Sequence, residues 1–304
     1  MRPLLEEVLK NQEIPYRQGV LGSSLSTFRI GGQIALLAEP RCEGELIQTL
    51  RLCQRAELSA RLLGRGSNVL FGDGIISDVI VHTVALDAIR EENGTIFAAC
   101  GVSLYALCAY FARLGLCGME FACGIPGTLG GALLMNAGAY GGCIGDLVES
   151  VRAYNFTRDE IKTYFADELN YSYRKSAFQC GSVAILSAKL RPTGYASSSE
   201  IRARMHVLCA KRREAQPLHL PNAGSVFKRP SPEISVGKLL DELGLKGLRC
   251  GAAAVSDKHA GFIVNHGGAT ANDVMCLIEQ IQKITQKERG IRLEPELCFI
   301  PEVK

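Results

Sequence analysis

The sequence has no C-x-x-C pair among its twelve cysteines, so neither a zinc ribbon nor a thioredoxin-like motif finds support. It has no G-x-x-x-x-G-K-[ST] segment, and the loop Gly64-Arg65-Gly66-Ser67-Asn68-Val69 lacks the third glycine of G-x-G-x-x-G. The P-loop and the usual dinucleotide fingerprint are therefore both disfavoured. No apolar run reaches the length of a membrane span, and the start, MRPLLEEVLKNQEIP, lacks the apolar core of a signal peptide. A cytoplasmic protein with reduced thiols and no membrane partner is the expectation. Lys211-Arg212-Arg213 is the one basic block, at the end of a helical stretch where cations complement the helix dipole. With a net charge of +3 and no aromatic residues interleaved on a basic face, nucleic acid is a poor partner.

Hydrophobic residues make up 47% of the chain, enough to bury a sizeable core, and 304 residues suggest two or three compact units. Gln33 to Ala38 reads as a strand closed by Pro40. Glu43 to Glu57 reads as a helix with Leu46, Ile47, Leu50 and Cys53 on one face. Ala60 to Leu63 and Asp78 to His82 read as strands, and Ser103 to Leu114 as a helix carrying Cys108 in an apolar run. Strands follow around VESVRAYNF and SVAILSAKL. RPTGYASSS (Arg191 to Ser199) is a linker candidate. Ser197 and Glu200 then form a capping-box start for a helix with Ile201, Met205, Leu208 and Cys209 on one face. A second helix begins at Thr270 with Asp273 and turns Val274, Leu277, Ile278, Ile281 and Ile284 inward. Buried cysteines such as Cys108 and Cys276 serve as small hydrophobes. No metal site is expected.

Two segments are unusually rich in glycine: Leu63 to Leu70, and Gly124 to Gly141. Glycine lets backbone amides turn toward an anion and lets a flat ligand approach without a β-carbon in the way. Ser67, Thr128 and Asn136 add short polar groups. One such loop alone reads as a tight turn; two in one chain point to a large phosphate-bearing cofactor.

The residues carry a resemblance that spans nearly the whole chain: TFRIGG (27–32), GRGSNVL, GIPGTLGGALLMNAGAYGG, YSYRKSAF (171–178), PNAGSVFKRP (221–230), SDKHAGFIVN (256–265) and LEPELCFI (293–300). In this order they resemble the UDP-N-acetylenolpyruvoylglucosamine reductase family, in its shorter subtype. The resemblance implies an α+β protein: a two-lobed FAD-binding region of the vanillyl-alcohol oxidase and p-cresol methylhydroxylase type, plus a C-terminal α+β substrate-binding domain. The implied boundaries are 1–83 for the first lobe, with a returning strand at 295–304, 84–195 for the second, and 196–294 for the substrate domain. It implies non-covalent FAD, NADPH as co-substrate, and UDP-N-acetylglucosamine enolpyruvate as the molecule reduced to UDP-N-acetylmuramate in peptidoglycan precursor synthesis. A monomer is expected.

By position, the resemblance puts Arg65, Gly66, Ser67 and Asn68 against the FAD diphosphate. It puts Gly127, Thr128, Gly130, Gly131, Asn136, Gly138 and Ala139 along the cofactor. Hydride would pass from NADPH to FAD and then to the enolpyruvyl group. Arg174 would grip the carboxylate, since a planar guanidinium suits a bidentate hold. Ser225 would protonate the carbanionic carbon, and Glu296 would stabilise the intermediate or manage the proton. Glu294 competes for that last role. Tyr173 and Lys228 are the substrate-binding candidates, with Arg229 and Lys246 behind them; His259 reads more readily as structural. Read without the resemblance, Arg174 is an ordinary surface arginine and NAGSVF a turn before a strand. Two departures matter. Only the 50 residues 175–224 separate Arg174 from Ser225, so the longer subtype's tyrosine lid is not expected, and Arg229 stands where many members have asparagine. Another flavin oxidase of the same fold, or a non-catalytic nucleotide-sugar-binding protein, are the rival readings.

Overall fold

The computed structural model describes residues 2–302. Contacts divide the chain into two compact units. The first comprises Met1–Arg17, Leu36–Arg65 and Asp78–Lys211; the second comprises Gln18–Ala35, Gly66–Ser77 and Arg212–Lys304. Each has its own apolar core.

The first unit is built on two sheets. In one, the strands run in the order Tyr16–Arg17, Gln33–Ala38, Ile76–His82 and Ala60–Leu63, with Ala60–Leu63 parallel to its neighbour. The other is a five-stranded antiparallel sheet in the order Glu160–Phe165, Val148–Asn155, Val183–Leu190, Thr95–Ala99 and Ile89–Glu92. The central strands bury most of their apolar residues, whereas Glu160–Phe165 is exposed along nearly its whole length. That edge strand exists through its pairing with Val148–Asn155, not through a buried face of its own.

Helices cover these sheets with the faces that the periodicity predicts. Glu43–Arg55 buries Leu46, Ile47, Leu50 and Cys53, with Glu43 and Glu45 in its first turn where the helix dipole favours acidic groups. Leu104–Arg113 is capped by Ser103, whose hydroxyl accepts from the Ala106 amide at 3.2 Å. Ser198–Ala215 begins at the Ser197–Glu200 capping box, in which Glu200 accepts from both the amide and the hydroxyl of Ser197. Ile201 is buried, and Met205, Leu208 and Cys209 pack on the first core. The contact division falls within the last turn of this helix, between Lys211 and Arg212.

The second unit holds the antiparallel strands Arg249–Cys250, Ala253–Val255 and Ile263–Asn265, and the helices Val236–Glu242 and Ala271–Arg289. The long helix starts at a Thr270–Asp273 capping box and ends at Gly290 in a left-handed conformation. It buries Val274, Leu277, Ile278 and Ile281. Cys298–Ile300 pairs in parallel with Val69–Phe71, so the end of the chain returns to the strand that follows the first glycine loop.

Candidate cofactor and catalytic residues

In the first unit the two glycine-rich segments touch. A β-carbon on Gly64 would lie 2.3 Å from the Thr128 hydroxyl, so only glycine permits this approach. Thr128 is buried and caps the Leu129–Met135 helix, its oxygen accepting from the Gly131 amide at 3.4 Å. The adjoining backbone is fixed by Leu104 N–H donating to Gly127 O, Leu129 N–H to Val102 O and Gly130 N–H to Cys100 O, all within 3.0 Å. Gly130 packs on Cys100, where a β-carbon would be 3.0 Å from that residue's own Cβ. Gly131 differs. It is exposed, and an added β-carbon would meet only Thr128 Oγ1, at an ordinary 3.6 Å. The fold thus demands glycine at 64 and has little steric objection to a side chain at 131.

Asn136 ends that helix in the left-handed region, at φ 42°. Its buried side chain works in two directions: Nδ2 donates to Ser172 O at 3.0 Å, and Oδ1 accepts from Gly145 N–H at 3.1 Å. Asn136 therefore ties the second glycine segment to the turn that carries Tyr173 and Arg174. Beyond it, Gly138–Ala139 pairs antiparallel with Gly142–Cys143, and the connecting Tyr140 and Gly141 both have positive φ, as a tight two-residue hairpin requires.

The Arg174 turn is held from several sides. Ser176 Oγ donates to Leu134 O at 2.7 Å, and Gln179 Nε2 donates to Arg174 O at 3.0 Å. Arg174 itself has φ 55°, a conformation that costs a non-glycine residue about 1–3 kcal/mol and persists only where its surroundings enforce it. Its guanidinium lies over the Tyr173 ring, 5.3 Å from the centroid. Nearby, the Tyr171 hydroxyl is buried with no hydrogen-bond partner, and burial raises its pKa.

The second unit carries the other candidates. Gly66, with φ 59°, comes so close to Leu25 O that a β-carbon there would be 2.1 Å away. Asn68 clamps the C-terminal segment: its Nδ2 donates to Glu296 O at 3.0 Å and its carbonyl accepts from Cys298 N–H at 2.9 Å. Arg65, at the chain's crossing from the first unit to the second, is exposed.

Ser225 and Glu296 lie on hydrogen-bonded neighbouring segments. Glu296 N–H donates to Val226 O at 2.7 Å, Lys228 N–H donates to Glu294 O at 2.9 Å, and Phe227 bridges Pro295. The turn ahead of Ser225 is set by Asn222, whose Oδ1 accepts from Gly224 N–H at 3.0 Å; Gly224 takes φ 83°. Ser225 Oγ donates to Phe227 O at a long 3.3 Å. Lys228 and Glu294 form an ion pair at 2.5 Å. Lys246 pairs with Asp241 at 2.7 Å instead.

His259 has a packing role: its Nδ1 accepts from Gly261 N–H at 3.1 Å, its ring stacks edge-on with Phe262, and a β-carbon on Gly237 would strike it. Burial pushes its pKa down. A cavity of about 360 Å³ is lined by Arg29, Leu220, Pro221, Asn265, His266, Gly267 and Gly268, none of them a residue expected to act on substrate.

The two glycine segments, with a fold that spares Gly131 from any packing duty, suit a flat phosphate-bearing cofactor. A family model described as "FAD binding domain" matches residues 34–161, which makes this a flavin-binding fold joined to a C-terminal α+β domain. The model for the C-terminal domain of UDP-N-acetylenolpyruvoylglucosamine reductase matches 216–300, the stretch that holds Ser225, Lys228 and Glu296. The reductase of that name from Geobacillus thermodenitrificans is 40% identical over 276 residues, covering 90% of this chain and 89% of its own. The Caldicellulosiruptor bescii protein is 39% identical over 299 residues, covering 98% and 94%. The crystal structure of the Thermus caldophilus reductase superposes with a TM-score of 0.78 at 33% identity, over 95% of this chain and 99% of that one. The chain belongs to the UDP-N-acetylenolpyruvoylglucosamine reductase family.

Proposed function

We propose that this chain reduces UDP-N-acetylglucosamine enolpyruvate to UDP-N-acetylmuramate, with NADPH as electron source, in the cytoplasmic synthesis of peptidoglycan precursors, and that it acts as a monomer. The observation that carries the reading is the pairing of 225–228 with 294–296, which gathers a hydroxyl, an ammonium and a carboxylate on two adjacent segments of the second unit.

Arg65, Gly66, Ser67 and Asn68, with Gly127, Thr128, Gly130, Gly131, Asn136, Gly138 and Ala139, would hold FAD, which when bound would supply two-electron transfer between NADPH and the enolpyruvyl group. The rest falls to side chains. Arg174, preset by its enforced backbone and the Tyr173 ring, grips the substrate carboxylate and stabilises charge that spreads onto it. Ser225 gives its proton to the carbon alpha to that carboxylate; its present bond to Phe227 O is long enough to be exchanged cheaply. Glu296, the glutamate in the family's register and bonded through its amide to Val226 O beside Ser225, is the carboxylate that supports this transfer. Lys228 and Tyr173 bind the diphosphate and uridine of the substrate.

The test is anaerobic. NADPH should bleach the visible flavin band of the purified protein, and the UDP-linked enolpyruvate should restore it. Recovery with oxygen alone would keep the flavin and refute this substrate. A protein that takes up no FAD would overturn the proposal altogether.

A further inference from the structure

Twelve cysteines are spread along the chain without a close pair in sequence, yet two of them meet in the first unit. Cys123 Sγ and Cys209 Sγ are 3.1 Å apart, although 86 residues separate them. An S–S bond is about 2.05 Å, so closing this one needs a shift of about 1 Å. Cys123 is buried at the end of the turn Glu120–Ala122, directly ahead of the second glycine segment. Cys209 is half-buried on the helix Ser198–Ala215, two residues before the chain leaves the first unit. A second contact joins the same two pieces, Cys123 Sγ donating to Met205 O at 3.4 Å. A third thiol, Cys108, lies deeper and is occupied, donating to Met119 O at 3.0 Å. Among the described residues no group of three His, Cys, Asp or Glu side chains suited to a metal includes the pair. Two thiols in contact, one reachable and one enclosed, have the arrangement of an attacking and a resolving cysteine.

We propose that Cys123 and Cys209 are a reversible oxidation site, which a peroxide converts to a disulfide that fastens the Ser198–Ala215 helix to the turn opening the second glycine segment. The sulfur of Cys209 attacks one peroxide oxygen, the O–O bond breaks, and sulfenic acid forms while the released hydroxide takes up the thiol proton as water. Cys123 sulfur then attacks the sulfenic sulfur, the S–O bond breaks, and water leaves as the S–S bond forms. Two thiols are oxidised and the peroxide is reduced to two waters. A dithiol reductant reverses the step.

The experiment uses the FAD-loaded full chain, treated with a small excess of hydrogen peroxide, quenched with N-ethylmaleimide and digested with trypsin. Cys123 falls in the peptide from Leu114 to Arg152, with Cys117 and Cys143, and Cys209 in Met205 to Lys211. The two peptides should appear joined with the loss of two hydrogens, and fragmentation should locate the link at Cys123. Two fewer thiols should be alkylated, and dithiothreitol should restore both. Backbone amides of residues 205–211 should exchange more slowly after oxidation. Cys209→Ser, its fold checked by circular dichroism and flavin content, should show neither the link nor the slowed exchange. Sulfinic or sulfonic acid at Cys209 without a link would overturn the proposal. So would a link to Cys117 or Cys143, or exchange at 205–211 that oxidation leaves unchanged in the wild-type chain. These readouts do not depend on the substrate assigned above.

Discussion

Gly131→Ala separates what the fold needs from what the cofactor needs. In the protein alone the new methyl meets only Thr128 Oγ1, at 3.6 Å, and it replaces glycine inside the helix Leu129–Met135. Replacing a helical glycine by alanine is worth roughly 0.5–1 kcal/mol of stability. The apoprotein should therefore unfold at the same or a slightly higher temperature. If the bare backbone at 131 is kept for a flat ligand, the same methyl must cost affinity for FAD. A loss of about 1.4 kcal/mol is a tenfold rise in Kd, and the stabilisation conferred by excess FAD shrinks by about the same amount. Gly64→Ala is the contrast, since its methyl would sit 2.3 Å from the Thr128 hydroxyl. Overpacking of this kind costs about 1–3 kcal/mol before any cofactor is added. The assay is thermal unfolding of both apoproteins with and without FAD, alongside a titration of flavin fluorescence. An unchanged FAD affinity in Gly131→Ala would refute the argument that this glycine serves the ligand. An unchanged apoprotein stability in Gly64→Ala would refute the steric argument on the other side.

Other perturbations test the remaining parts. Ser225→Ala should leave flavin bleaching by NADPH intact and slow recovery by the enolpyruvyl substrate about 10²–10⁴-fold, the usual range for a lost acid–base group, as read by stopped-flow absorbance. Asn136→Ala loses two buried hydrogen bonds and a residue tolerant of positive φ, and should destabilise the protein by about 2–4 kcal/mol in urea titration. His259, whose pKa burial lowers, is neutral in the fold and gains its proton more readily when unfolded. Its contribution to stability is present above about pH 6.5 and is lost as pH falls through that value toward the folded pKa, so the midpoint difference between wild type and His259→Gln should narrow from pH 7.5 to 5.5.

Much of the fold was legible wherever burial has a period. The strand Gln33–Ala38 and the helices beginning at Glu43 and Ala271 follow from apolar spacing, joined at Ala271 by the Thr270–Asp273 capping box. Glu160–Phe165 was not legible, because an edge strand held by backbone pairing leaves no apolar alternation to read. The segments around Ser225 and Glu296 form only isolated bridges, so their pairing has no signature in either stretch. Arg174 has no local mark of its own; its left-handed backbone is imposed by Ser176 and Gln179 and by the Asn136 side chain, which bonds Ser172 across 36 residues of sequence. For these residues the family motifs supplied what spacing could not. The Cys123–Cys209 contact escaped for the same reason as the bridges: proximity across 86 residues is a property of the packed unit.

The two glutamates of Leu293-Glu294-Pro295-Glu296 are chemically alike, and Glu294 carries an ion pair with Lys228. Glu294 holds Lys228 at 2.5 Å, but its side chain is 70% exposed while that of Lys228 is 22% exposed. An ion pair open to water on one side is worth about 0–1 kcal/mol, because solvent screens the attraction and the long side chains lose freedom in making it. A diphosphate carries more charge than one carboxylate and offers several acceptor oxygens, so it can displace Glu294 at little cost. Lys228 meanwhile is held three residues after Ser225 on the same segment. In the function proposed above, the pair acts as a placeholder for the anionic ligand. Glu294→Gln should therefore change the KM for a UDP-linked substrate by no more than a few-fold, while Lys228→Met should raise it far more; equal effects of the two would show that the ion pair itself, and not the lysine, is what the substrate requires.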